Sequence, residues 1–255
     1  MKVVFLGLGY IGLPTAFLVA DQGIEVVGVD NDQEKIKKLN SNKLSSPEKD
    51  IQNLINKVLK KDNFRAQSSP EKGDIFFIVV PTPIKKNKHP DLSQVKSAIK
   101  SIIPFLSKGN LVIIESTVPL STTESLSKMI FKKRPDLEKD IDIAYCPERV
   151  LPGNIIYELK NNDRVIGGIN NRSTKKAVKF YKKFVSGKLH ETDSKTAELC
   201  KLTENSYRDL QIAFANELSI ICDKSKLDVW NLIQLANNHP RVNILKPSSG
   251  VGGHC

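Results

Sequence analysis

Three spaced glycines that turn a strand into a helix constrain this chain more than any other feature. Lys2-Val3-Val4-Phe5-Leu6 is an apolar run of strand length, Gly7-Leu8-Gly9-Tyr10-Ile11-Gly12 turns it, and an apolar helical segment runs on to Gly23. A second strand at 24–29 stops at Asp30, 18 positions beyond Gly12. A lone GxGxxG says little, but a strand before it, a helix after it and an acid at the end of the next strand describe a dinucleotide-binding unit. Gly7 is expected to permit the tight turn, Gly9 to let a pyrophosphate approach the backbone, and Gly12 to let helix pack on strand. The helix N-terminus supplies N–H groups and a positive dipole end. Asp30 is suited to accept hydrogen bonds from ribose hydroxyls and to repel a 2′-phosphate, which favours NAD over NADP. The same fingerprint serves flavins, so at this point the cofactor is open between the two.

Strand-like runs recur at 75–80, 111–115 and 141–145, separated by stretches of helical spacing such as 92–105 and 122–132. That alternation predicts an α/β fold, a Rossmann-like, doubly wound parallel sheet covered by helices. A shorter strand at 164–167 and a helix at 173–185 complete a first domain over 1–190, with its boundary near 187–194. Residues 194–224 then run about thirty residues without Gly or Pro, which predicts one long helix. A shorter helix at 229–237 precedes Pro240, and the last residues form a loop rich in Pro, Ser and Gly. Residues 191–255 therefore read as an all-helical domain.

Ligands of an open parallel sheet lie outside the carboxyl ends of its strands. Thr82, in Val79-Val80-Pro81-Thr82-Pro83, and Thr117, in Glu115-Ser116-Thr117-Val118-Pro119, both follow strand ends, so both are candidates to touch the cofactor, Thr117 nearest the nicotinamide. Helix capping or an ordinary turn hydroxyl is the alternative for each. Tyr145-Cys146-Pro147-Glu148-Arg149-Val150 sets an acid and a base just past another strand end. There Glu148 can activate water and Arg149 can hold an anion.

On the long helix Lys201, Asn205 and Arg208 are spaced four and three residues apart and share a face. A solvated helix surface is the competing explanation. Cys255, in Gly250-Val251-Gly252-Gly253-His254-Cys255, has little bulk around it and is open to a substrate. Its thiolate would be favoured by a nearby cation such as Lys201. Cys146, at a strand end amid apolar residues, and Cys200 and Cys222, on the long helix, read as structural. His239-Pro240-Arg241 is a basic pair suited to a phosphate or carboxylate, or else a helix C-terminal cap.

The four cysteines lack metal-ligand spacing, so no metal site and no disulfide framework is indicated. The formal charge of +11 would suit a polyanion, but the lysines are spread along helices rather than gathered with aromatics, so no nucleic acid partner is expected. A phosphate-bearing small substrate would gain from the same field. No stretch reaches the roughly 20 apolar residues that cross a bilayer, and the start lacks a signal-peptide pattern. No membrane partner and a cytoplasmic setting are expected. Ile212, Phe214, Leu218 and Ile221 give the long helix enough apolar surface to predict a homodimer packed along it.

These motifs together resemble the UDP-glucose/GDP-mannose dehydrogenase superfamily. The resemblance is carried by Gly7-Leu8-Gly9-Tyr10-Ile11-Gly12-Leu13-Pro14-Thr15-Ala16, residues 145–153, Asn162-Asp163-Arg164-Val165-Ile166-Gly167-Gly168, Cys200-Lys201-Leu202-Thr203-Glu204-Asn205-Ser206 and residues 237–255. It implies an NAD-dependent, four-electron oxidation of a UDP-sugar, alcohol to aldehyde to acid, in surface polysaccharide synthesis. The segments around Arg149, Arg208 and His239 favour an N-acetylmannosamine sugar over glucose or another.

The same resemblance implies Cys255 as nucleophile, Lys201 as acid/base and oxyanion stabiliser, Asn205 as its partner, and Glu148 assisting water. It implies NAD contacts at Tyr10, Ile11, Asp30, Thr82 and Thr117. Substrate contacts fall on Arg149, Val150, Lys201, Asn205, Arg208, His239, Arg241 and Gly252. Such enzymes continue past the cysteine into a UDP-binding domain that is absent here, so the chain is expected to be a fragment of a longer product. A non-catalytic NAD-binding fragment and a single-step hydroxyacid dehydrogenase are the alternatives.

Overall fold

The computed structural model describes residues 1–150 and 153–249. Among them eight strands form one sheet in the order β3-β2-β1-β4-β5-β6-β7-β8. The strands are β1 Lys2–Leu6, β2 Glu25–Val29, β3 Phe64–Gln67, β4 Ile75–Ile78, β5 Leu111–Ile114, β6 Asp142–Tyr145, β7 Arg164–Gly168 and β8 Leu189–Asp193. Those from β3 through to β6 pair in parallel. The reversal of strand order between β1 and β4 opens a crevice at the carboxyl ends there.

Period-two alternation explains why so few polar residues occur in the central strands. Val3 and Phe5 of β1, Phe77 of β4 and Ile113 of β5 face one apolar cluster; Val4, Leu6, Phe76, Ile78, Val112 and Ile114 face another. With both faces covered the strands read as unbroken apolar runs. Helices α1 (Gly12–Asp21), α2 (Gln33–Asn40), α3 (Lys49–Val58), α6 (Ile155–Asn161) and α7 (Asn171–Tyr181) contribute to the first cluster. Helices α4 (Ser93–Ile102) and α5 (Thr122–Lys133) contribute to the second. Phe77 stacks on Phe5 with centroids 4.4 Å apart and meets the ring of Phe180 at 5.7 Å.

Two features depart from the sequence expectation. β7 runs antiparallel to β6, with Tyr145 opposite Gly167 and Ala144 opposite Gly168. β3 and β8 were not anticipated as strands, and β8 occupies residues assigned to a boundary. Both are at the edges of the sheet, and β8, Leu-His-Glu-Thr-Asp, has no residue in the core. An edge strand needs no apolar face of its own because its backbone hydrogen bonds hold it, so its sequence is quiet.

The chain divides into two compact units, Met1–Cys200 and Lys201–Cys255. Helix α8, Ser194–Ser225, begins in the first and continues into the second, followed there by α9, Val229–Ala236. In the second unit Cys222, Val229 and Ile233 are buried together, with Leu218 and Ile244 packed on them. The Asp228 carboxylate caps α9 by accepting the Trp230 N–H at 2.9 Å. Asn237 clamps the following loop: its amide donates to the Ile244 carbonyl and its oxygen accepts the Ile244 N–H, at 3.0 and 2.8 Å.

At the end of the sheet away from the crevice, the buried Asp142 carboxylate accepts from Arg172 Nε at 2.7 Å and Lys176 Nζ at 2.9 Å. Burial opposes its charge, but the Lys176 and Arg172 bonds outweigh it and hold the carboxyl below its ordinary value. Such a group stabilises fully above the unfolded pKa, about 3.9, and the contribution disappears as pH falls through the lower folded value. Asp142→Asn should therefore cost about 1–3 kcal/mol in urea unfolding at pH 7, with the gap to the parent narrowing below about pH 4. A gap unchanged at acid pH would contradict the assignment.

Candidate active site

The glycine turn is built by contact with the neighbouring strand end. A Cβ on Gly7, whose φ is +99°, would lie 2.2 Å from the Val79 carbonyl oxygen, and one on Gly12 would lie 2.0 Å from the carbonyl oxygen of Gly7. Neither position tolerates a side chain. Gly9 is different, because a Cβ there would meet nothing within 4 Å. The space above Gly9 is open, as a diphosphate approaching the backbone requires. Ile11 precedes α1 and no side chain caps that helix. The Leu13 and Thr15 N–H groups donate to the Gly9 and Ile11 carbonyls and Pro14 has none, so the positive end of the helix dipole, rather than a row of free amides, is what α1 offers the opening.

Asp30 ends β2 and reaches back to the turn. One carboxylate oxygen accepts the Leu8 N–H at 2.9 Å and the other the Asp32 N–H at 3.0 Å. Lys35 on α2 donates to the first of these oxygens at 3.1 Å. Burial works against the charge, yet the Asp32 and Leu8 amides and the Lys35 ammonium hold the carboxyl below its usual range. Asp30 thus stays ionised throughout the neutral range and is aimed by backbone. Nothing in the sequence marks Lys35 as its partner, because a lysine five residues on reads as ordinary helix polarity.

The next two strand ends are tied together. Thr82 Oγ1 donates to the Thr117 carbonyl at 2.7 Å, and Ser116 Oγ accepts the Val80 N–H at 2.9 Å while donating to the Val80 carbonyl at 2.7 Å. Thr82 and Thr117 are therefore neighbours. The Thr82 hydroxyl is, however, engaged with backbone. Tyr10 is 43 % exposed, and its hydroxyl donates to Glu48 at 2.9 Å, tying the glycine turn to the start of α3.

Beneath this edge lies a charged cluster that the sequence did not announce. Arg164 Nη1 is 3.4 Å from Glu115 Oε1, Tyr181 donates to the same oxygen at 2.6 Å, and the guanidinium lies 5.2 Å from the Tyr181 ring centroid. Burial raises the Glu115 carboxyl against the pull of Arg164 and Tyr181, with the charge of Glu148 adding to the rise. Cys146 sits among these groups, fully buried. Burial pushes its thiol up to about 11 despite the Arg164 charge, which suits a structural cysteine. Glu148 is buried and accepts the Val150 N–H, while Arg149 donates to the Asp163 carbonyl at 3.0 Å.

In the second unit Lys201 is 7 % exposed, whereas Asn205 and Arg208 on the same helix are exposed. The expected face is thus uneven in burial, with one residue enclosed and two open. His239 follows α9; its N–H donates to the Ala236 carbonyl and its Nδ1 accepts the Arg241 N–H at 3.3 Å. Cys200 is half-buried and Cys222 buried. Cys255 and Gly252, the expected nucleophile and one expected substrate contact, lie outside the described residues.

Residues 1–185 match the NAD binding domain of the UDP-glucose/GDP-mannose dehydrogenase family, and residues 195–255 match its central domain. The chain belongs to this family. It is 50% identical over 263 residues to UDP-N-acetyl-D-mannosamine dehydrogenase of Campylobacter jejuni, covering all of this chain and 65% of that one. It is 49% identical over 258 residues to NDP-N-acetyl-D-galactosaminuronic acid dehydrogenase of Ralstonia nicotianae, covering 98% of this chain and 61% of that one. The native structure of a UDP-N-acetyl-mannosamine dehydrogenase from Staphylococcus aureus superposes with a TM-score of 0.94 at 43% identity, over 100% of this chain and 63% of that one.

The chain therefore spans less than two thirds of the length of these family members. For the family's NAD-binding domain, the open space at Gly9, the uncapped start of α1 and the Asp30 carboxylate are a set of features that fits the dinucleotide. Asp30→Ala should weaken NAD binding by roughly 10–100-fold, the worth of one or two charge-assisted hydrogen bonds. It should also shift preference toward NADP, because Lys35 is left unopposed. In the parent the Asp30 contribution should stay level from neutral pH down to about 4. Calorimetric titration checks all three, and an unchanged NAD affinity would remove Asp30 from the site.

Proposed function

We propose that this chain carries the NAD-binding and central catalytic parts of a UDP-sugar 6-dehydrogenase that oxidises UDP-N-acetyl-D-mannosamine to UDP-N-acetyl-D-mannosaminuronate in polysaccharide synthesis. The observation that carries the reading is the joining, in one chain, of a crevice suited to NAD with a segment matching the family's central domain. The names of the Campylobacter jejuni and Staphylococcus aureus relatives support the sugar. The Ralstonia nicotianae relative, at 49% identity, favours an N-acetylgalactosamine-type sugar as the second choice.

When bound, NAD accepts the two electrons and one proton of a hydride at each of two successive stages. Tyr10, Ile11, the three glycines, Asp30, Thr82 and Thr117 would hold the two cofactor molecules in turn, Thr117 nearest the reacting carbon. The first stage takes hydride from the sugar's C6 and a proton from its hydroxyl, leaving an aldehyde. The Cys255 thiolate then adds to that aldehyde, and Lys201, partnered by Asn205, supports the oxyanion. Loss of a second hydride converts this adduct to a thioester. Water, assisted by Glu148, releases the carboxylate and restores the thiol. Arg149, Val150, Arg208, His239, Arg241 and Gly252 would bind the sugar nucleotide.

The test is NADH yield with UDP-N-acetyl-D-mannosamine, for the 255-residue chain and for the product of its reading frame read past codon 255. Two NADH per sugar are expected, and Cys255→Ser should abolish the second oxidation, lowering the overall rate on the order of 10³-fold. One NADH per sugar, or a variant that completes both stages, would falsify the covalent route. The alternative reading is NAD binding without turnover. NAD affinity with no NADH from either product would select it.

We further place a second copy of this chain against α8. Phe214 and Ile221 are 52% and 55% exposed, Ile212 and Leu218 are half-buried, and Trp230 on α9 is 56% exposed. Apolar area of this kind in a small helical unit favours a partner. Sedimentation velocity should show a dimer, converted to monomer by Phe214→Asp. A monomeric parent would end the idea.

A further inference from the structure

We propose that Glu198, on the first turns of α8, is a positioning residue for the cofactor crevice, its buried carboxylate holding residues 117–123 in the shape that presents Thr117. The inference rests on Thr117 lying against the dinucleotide.

Glu198 has no solvent exposure. One of its oxygens accepts the Ser121 N–H at 2.5 Å. The other accepts the Thr123 N–H at 2.7 Å and the Thr123 hydroxyl at 2.6 Å. Three donors from one short segment thus converge on one carboxylate contributed by a helix more than seventy residues away in sequence. Ser121 immediately precedes α5 with φ +67° and ψ +12°, and its own side chain provides no cap. A non-glycine residue in the left-handed region is strained and persists only where surrounding bonds hold it. Here the Ser121 carbonyl accepts the Ser125 N–H within α5, and the bond that ties Ser121 to another element is the one to Glu198, which also places a negative charge at the start of α5, where the helix dipole favours it.

The other end of the segment is fixed as well. The Thr117 carbonyl accepts from Thr82, Ser116 is bonded to Val80, and Val118 is buried, while Thr122 Oγ1 donates to the Pro119 carbonyl at 2.6 Å. Residues 117–121 are therefore a bridge secured to β4 at one side and to Glu198 at the other. Lys195 adds a partly exposed ion pair to Glu124 at 3.1 Å, and of these two α8 residues Glu198 is the one bonded to Ser121. An apolar side chain at 198 could pack α8 equally well and would leave the Ser121 and Thr123 amides without acceptors. The carboxylate sets the conformation of the turn as well as its packing.

Glu198→Gln replaces one acceptor with a donor facing an N–H. Glu198→Asp keeps the charge and withdraws it by one methylene, which provides the comparison should the amide variant not fold. In the 255-residue chain, Glu198→Gln is expected to weaken NAD binding about 5–30-fold by calorimetry, Glu198→Asp about 2–5-fold. Hydrogen exchange at the Ser121 and Thr123 amides should accelerate in both. Adding Ser121→Gly should restore NAD affinity to within about threefold of the parent, because glycine adopts the left-handed conformation without help. Asp142→Asn, at the far end of the sheet, should lower the Tm without moving NAD affinity.

Three results would overturn the inference. They are parental NAD affinity in a variant whose amides have lost protection, no rescue by Ser121→Gly, and an equal affinity loss in Asp142→Asn at matched Tm. If the parent itself does not bind NAD, the cofactor reading fails and exchange decides alone. Retained protection at Ser121 and Thr123 in Glu198→Gln then refutes the role of the carboxylate, and its loss upholds it.

Discussion

Backbone packed against backbone at the parting of β1 and β4 is the constraint on which the crevice depends. Gly12 approaches the carbonyl of Gly7, and Gly7 approaches the carbonyl of Val79, at separations where a Cβ would stand about two ångströms from oxygen. This contact lets α1 begin directly beside the end of β1, with its positive dipole end at the glycine turn. It also fixes where β2 must end. Asp30 can accept the Leu8 amide only because β1 and β2 are paired in register, Leu6 opposite Val29. Moving the pairing by one residue would turn the carboxylate to the other face.

Across the first unit, carboxylates are held by specific partners. Asp30 is held by two amides and a lysine, Glu115 by Arg164 and Tyr181, Asp142 by Arg172 and Lys176, and Glu198 by the turn before α5. Each of these bonds fixes an orientation that apolar packing would leave free. Three of the four lie at or near the carboxyl edge of the sheet. Two strand-end loops stapled together by Thr82 and Ser116 complete the floor of the crevice.

Legibility of the fold followed burial. Strands β1, β2, β4, β5 and β6 were visible because both their faces meet apolar cores, and α8 because about thirty residues pass without Gly or Pro. β3 and β8 were invisible for the opposite reason, since edge strands are held by backbone and need no apolar pattern. The reversed direction of β7 was equally hidden, because a strand's side chains alternate in the same way whichever way it runs. Of the site, Gly7, Gly9, Gly12, Asp30, Thr82 and Thr117 could be named from spacing. Lys35, Ser116 and Glu198 could not be told from ordinary helix or turn polarity.

The sequence by itself determined the covalent order of the chemistry-bearing groups: the glycine spacing, the acid at the end of the second strand, the hydroxyls after two more, and the membership of the chain in its family. These are local, set by residues within a few positions of one another, and local geometry is what spacing encodes. Only the tertiary structure decided that Thr82 is occupied by the Thr117 carbonyl, that Lys35 leans on Asp30, and that a carboxylate from α8 reaches a strained serine more than seventy residues earlier. Those pairings depend on which surfaces the sheet brings into contact. No periodicity records them, because a buried partner and a solvated one are written with the same letter.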